Sequence, residues 1–149
     1  MNEKFKSYDN NNETQDFEQM EKIIIEIPLK TVSEFNSSEH WRLKAKRHRM
    51  QKFFVREALK PYLSKITLPC VIKCIRIGSR FLDEHDNLRG AFKFIIDQAA
   101  DCLIPGKQSG QADNDIRIKW EYGQEKSKKY GVRIEISGLS DHPHLSTSV

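Results

Sequence analysis

The run KIIIEI at 22–27 is short, rich in β-branched residues and closed by Pro28, which predicts a first strand. From 38 to 59 the spacing turns helical. Met50, Phe54 and Ala58 recur every four residues, Ser38 is placed to cap the first turn, and Pro61 stops the helix. After Pro69, the stretch CVIKCIRI at 70–77 is apolar without alternation, as expected of a central strand covered on both faces. Residues 86–103 give the clearest helix: Leu88, Phe92, Ile95, Ile96, Ala99 and Leu103 fall inside an arc of about 100°. From 115 to 122, Ile116, Ile118, Trp120 and Tyr122 alternate with Asp115, Arg117, Lys119 and Glu121, the pattern of a half-buried strand. Val132, Ile134 and Ile136 repeat that period after a Lys-rich connection, and these last two strands are expected to form a hairpin. The order β-α-β-α-β-β predicts one α/β or α+β domain with a mixed sheet.

At 149 residues the chain has room for one well-packed domain and not for two. That domain is expected over 21–139. Residues 1–20, dominated by Asn, Gln, Glu and Asp, cannot bury enough apolar surface to fold and are expected to form a flexible tail, as are the polar residues 140–149. His142 and His144 fall in that second tail and are expected to play no part in metal binding. The first twenty residues contain no apolar stretch of the kind a secretion signal needs, and nowhere is there an apolar run long enough to span a bilayer. With Cys70, Cys74 and Cys102 an odd set lacking any CxxC, a cytoplasmic protein without membrane contact is expected. Cys70 and Cys74 lie on one face of the predicted central strand and are expected to be buried packing residues.

Charge alters this picture through its distribution. The net charge is only +4, yet the first 21 residues are acidic while the stretch from Arg42 to Arg56 is densely basic. Within the predicted helix, Arg42, Lys46, Arg49, Lys52 and Arg56 follow at spacings of four, three, three and four, a basic ridge suited to a phosphate backbone. His40 stands at its start, either to contact phosphate or to cap, and Trp41 is expected in the core.

The acidic positions carry the candidate chemistry. FLDEHDNLRG places Asp83, Glu84 and Asp86 within four residues between a strand and a helix. Such crowded carboxylates repel one another unless a cation or strong donors offset them. If the strand continued, Glu84 and Asp86 would share one side; alternatively, Asp86 or Asn87 simply caps the helix. At 100° per residue Asp86, Lys93 and Asp97 align opposite the apolar stripe, and Lys93 can equally be a surface lysine paired with Asp97. A second acidic group, Asp113 and Asp115, precedes the third strand. Two such clusters could supply oxygen ligands to Mg²⁺ or Mn²⁺, and with a lysine beside them the set suits phosphodiester hydrolysis.

Three segments in order carry a resemblance. An upstream N-x-x-x-HWR with KRHRMQ, DNL at 86–88 opening an amphipathic helix, and an Asp-rich turn leading into RIKWEYGQ resemble the RusA-type Holliday junction resolvases, especially their phage versions, over about residues 31–136. The resemblance implies a small homodimeric, Mg²⁺-dependent endonuclease that cuts four-way DNA junctions by paired nicks. The family's catalytic carboxylates fall on Glu84, Asp86 and Asp115, with Glu84 standing where the family has Asp. The later acidic pair reads Asp113, Asn114, Asp115, so either acid is a candidate ligand. The family's lysine has no match at Gly90 and falls to Lys93. A protein that binds nucleic acid through the basic helix without cutting it is the competing reading.

Overall fold

A computed structural model describes residues 19–34 and 38–139, and the backbone alone of Asp86. The expected tails, 1–20 and 140–149 with His142 and His144, lie outside the described residues except for Gln19 and Met20, and Met20 packs against the core where a flexible tail was expected. Four strands, β1 (Ile23–Ile27), β2 (Cys70–Gly78), β3 (Ile118–Lys126) and β4 (Gly131–Gly138), form one sheet in the order β1-β4-β2-β3. Two main helices, α1 (Trp41–Leu59) and α3 (Lys93–Leu103), accompany it, with a short helix α2 (Arg89–Ala91) just before α3. The molecule is thus a small α+β domain with a mixed sheet.

β2 is central, as its unbroken apolar run requires: β4 pairs with it antiparallel and β3 pairs with it parallel. The expected β3–β4 hairpin is not formed. With β1 beside β4 and β3 beside β2, a hairpin between β3 and β4 would have left β2 at an edge with apolar surface and unpaired backbone open to water. Instead the connection passes over the end of β2, where the Ser127 amide donates to the Gly78 carbonyl at 2.9 Å, and β4 enters between β2 and β1. Ile134 and Ile136 consequently lie opposite Cys74 and Ile72 and are fully buried. Desolvation pushes the Cys70 thiol up to about 11 and that of Cys74 up to about 12, as befits packing residues.

α1 differs from its sequence pattern in three ways. Its buried residues are Gln51, Val55 and Leu59, whereas Met50 and Phe54 are exposed. The polar Gln51 inside the buried stripe masks that face, and the exposed aromatics imitate a core face beside it. Trp41, expected in the core, is 66% exposed, with Arg42 stacked 5.2 Å from its ring. The cap is His40 and not Ser38: the His40 Nδ1 accepts from the Arg42 amide at 3.3 Å.

The expected single helix over 86–103 is interrupted. Residues Glu84–Leu88 form a π-type turn and α2 follows; at Phe92 (φ −95°, ψ −4°) the chain tightens before α3 starts. The apolar stripe survives the break, with Leu88, Phe92, Ile95, Ile96 and Ala99 all buried. Among the described residues no helix is long and apolar enough to cross a membrane.

Candidate active-site cleft

The acidic turn is not an extension of β2, so the strand geometry that would pair Glu84 with Asp86 does not apply. Asp83 is the capping residue: its carboxylate accepts from the His85 amide at 3.0 Å, and its carbonyl accepts from the Leu88 amide at 2.9 Å. Glu84 projects into solvent. The turn then delivers the chain to α2 and α3, whose polar side faces β3.

Between them lies a cleft of about 860 Å³, an ordinary size for a ligand site. His85, Arg89, Lys93 and Asp97 line one wall, Lys119, Trp120 and Tyr122 the other, and Asp113 with Asn114 closes one end. Aromatic contacts fix its shape: Phe92 stacks on Tyr122 with centroids 5.9 Å apart, and Arg89 lies 5.5 Å from the same ring. The Trp120 indole donates to the Asp113 carbonyl at 3.0 Å, which ties the acidic turn to β3.

The two candidate acids of that turn are treated differently. Asp115 is spent on ion pairs. It accepts from the Arg117 amide and guanidinium at 2.9–3.0 Å and from Lys107 at 2.8 Å, and its side chain is 8% exposed. The Arg117 guanidinium, seconded by Lys107, holds the Asp115 carboxyl well below the usual carboxylate range. Asp113 reaches the cleft, and its Oδ1 is shut off from solvent with no hydrogen-bond partner among the described residues. The strand expected from Asp115 starts only at Ile118. Ile116, expected to face inward, is 96% exposed. Its segment instead forms the turn that Asp115 closes.

Asp97 is the residue that sequence reading did not assign to the site. Helical spacing sets it opposite the apolar stripe, hence facing water; it is 7% exposed. The connection after α3 folds back over it: Ser109 donates to Asp101 at 3.0 Å, and Gly110, at φ +79°, comes close enough that a Cβ there would stand 3.9 Å from the Asp97 carboxylate. Lys93 pairs with Asp97 at 3.7 Å, the i, i+4 contact anticipated as its surface role, while also lining the cleft. Burial raises the Asp97 carboxyl above its ordinary value; Lys93 opposes the shift, and Asp113 adds to it.

A pH dependence follows. The folded protein binds a proton at Asp97 where the unfolded chain does not, so stability increases as pH falls from neutral through the raised value. The gain is complete below the ordinary carboxylate value of about 3.9. The depressed Asp115 acts in the opposite sense, its contribution being lost as pH falls below that ordinary value. Urea midpoints across this range are expected to rise less on acidification for Asp97→Asn than for the wild type, and the variant is expected to be the more stable of the two at neutral pH.

The basic ridge is exposed at Arg42, Lys46, Arg49 and Arg56. Lys52 is half-buried, its ammonium 5.9 Å from the Phe94 ring and its charge felt by Asp97. The ridge therefore runs up to the acidic cleft at that residue. His40 serves as a cap, and Arg47 and His48 are turned aside to Glu34 at 3.1 and 3.2 Å. No protein-family model matches the chain, and no curated protein gives a significant match.

Proposed function

We propose that the protein is a metal-dependent endonuclease for branched DNA, of the RusA type that its motifs resemble. The observation that carries this reading is the cleft, where Lys93, Asp97 and Asp113 converge next to the acidic turn and at the end of the basic ridge. Asp97 and Asp113 are hard oxygen donors of the kind Mg²⁺ or Mn²⁺ takes, and the unpartnered Oδ1 of Asp113 is an atom that a cation would satisfy. Asp86 is the candidate third ligand from the turn, with Glu84 beside it. When bound, the ion supplies Lewis-acid stabilisation of a phosphate and an activated water.

The chain's own residues do the rest. Lys93 and Arg89 set positive charge against a phosphate in the cleft, where partial exclusion of water strengthens the interaction. Trp120 keeps Asp113 in register with β3. The ridge from Arg42 to Arg56 binds backbone phosphates and sets the approach of the DNA. A twofold homodimer would bring two such clefts to the two symmetry-related strands of a junction.

A second reading, binding without cleavage, draws on two observations: Asp115 is neutralised by Lys107 and Arg117, and among the described residues no three metal-binding side chains come together. Incubation with four-way junction, fork, linear duplex and RNA substrates, with and without Mg²⁺, separates the two. The endonuclease reading predicts Mg²⁺-dependent nicking of the junction above the other substrates; intact substrates under all conditions would overturn it. Independently, reversing two ridge charges with Arg49→Glu and Lys52→Glu is expected to weaken binding to every DNA form by roughly ten- to a hundredfold at low salt, and to flatten the salt dependence. Fluorescence anisotropy over a salt series measures both effects.

A further inference from the structure

α1 presents three stripes, each about a third of its circumference. Gln51, Val55 and Leu59 are buried; Arg42, Lys46, Arg49, Lys52 and Arg56 form the basic stripe, with exposed Phe53 among them; Leu43, Met50 and Phe54 form an exposed apolar stripe between the other two. A phosphate backbone accounts for the basic stripe only. An exposed Leu, Met and two Phe in and beside it call for a partner that brings both negative charge and apolar side chains.

Residues 1–18 have that composition. From Ser7 to Glu18 this segment carries Asp9, Glu13, Asp16 and Glu18 and no Lys or Arg, with Tyr8 and Phe17 among the acids and Phe5 just ahead. The described chain begins beside the C-terminal end of α1: Gln19 and Met20 line a groove with Tyr62, Ser64 and Lys65 of the turn that follows α1, and the Thr67 amide lies 3.3 Å from the Met20 sulfur. Eighteen residues can extend up to ~60 Å, about twice the ~28 Å length of α1. They therefore reach every turn of the helix from that starting point, at the high effective concentration of a tethered ligand.

We infer that residues 1–18 dock on the basic and apolar stripes of α1 in the same chain and compete there with nucleic acid. The competition rests on the proposed nucleic-acid role of the ridge; the docking does not. Affinity for DNA is then reduced by the fraction of molecules whose ridge is occupied.

The test uses the full chain and a variant carrying Asp9→Asn, Glu13→Gln, Asp16→Asn and Glu18→Gln together. A carbodiimide that joins carboxylates to touching amines is expected to link the acids of residues 1–18 to Lys46 or Lys52 within one chain at low salt, and not at high salt. Mixing isotopically light and heavy protein identifies links within a chain. The variant is expected to bind a fluorescent linear duplex about tenfold more tightly than the wild type at low salt, the two converging at high salt. Absence of these links, links only between chains, or links with equal duplex affinity in the two proteins would each overturn the inference. If neither protein binds DNA, the nucleic-acid reading fails, and the cross-links alone still decide the docking.

Discussion

Asp113→Asn is expected to reduce Mg²⁺-dependent cleavage of a four-way junction by at least about a hundredfold, with junction binding retained. The substitution keeps the shape of the side chain and removes the charge that a hard cation requires. It also leaves the Trp120 contact in place, because that bond is to the Asp113 backbone carbonyl. Asp86→Asn is expected to behave in the same way. Asp115→Asn serves as the informative contrast. Its carboxylate holds Lys107 and Arg117, so its loss loosens the turn that carries Asp113 and acts on cleavage indirectly, by about ten- to a hundredfold. Raising the metal concentration is expected to restore part of the rate in Asp115→Asn and none in Asp113→Asn. Single-turnover cleavage at several Mg²⁺ concentrations measures all three. A fully active Asp113→Asn beside an inactive Asp115→Asn would mean that the ligand is Asp115, as the resemblance alone suggests.

Phe92→Ala is expected to destabilise the fold by about 3–5 kcal/mol, a large fraction of the stability of a domain this size. Phe92 is fully buried at the point where the chain tightens between α2 and α3, and it stacks on Tyr122 of β3. Removing the ring leaves a cavity between helix and sheet at the base of the cleft. Phe92→Leu, which fills most of that space, is expected to cost less than half as much. Urea denaturation of the two variants provides the comparison; an alanine variant within 1 kcal/mol of wild type would show that this layer repacks freely.

The elements legible in the sequence are those whose apolar pattern is unbroken. β2 reads as central because Cys70–Gly78 contains no run of polar residues, and the stripe from Leu88 to Ala99 reads as one buried face even though the backbone breaks at Phe92. That break is silent in sequence, since the tighter bond from the Phe92 amide to the Arg89 carbonyl shifts the phase of the helix without changing its composition. α1 was misleading for an identifiable reason: its buried stripe contains Gln51, while Met50, Phe53 and Phe54 sit in solvent. The hairpin failed because periodicity reports which residues face inward and says nothing of which strand lies alongside.

At the cleft, sequence identified Lys93, Asp113 and Asp115 as candidates but could not separate the two aspartates. Their difference arises from Lys107 and Arg117, one of them eight residues away in an irregular connection. The same connection buries Asp97, which a helical wheel alone sets facing water. Its i, i+4 spacing from Lys93 was the one signal available.

The most direct measurement of the central claim, that this acidic cleft holds a divalent ion for DNA cleavage, is a binding isotherm with Mn²⁺ on the full chain and on Asp113→Asn. The account predicts saturable binding in the wild type, reversed by Mg²⁺, and its loss in the variant. Wild-type protein that binds four-way junctions yet shows no saturable site for either ion would contradict it.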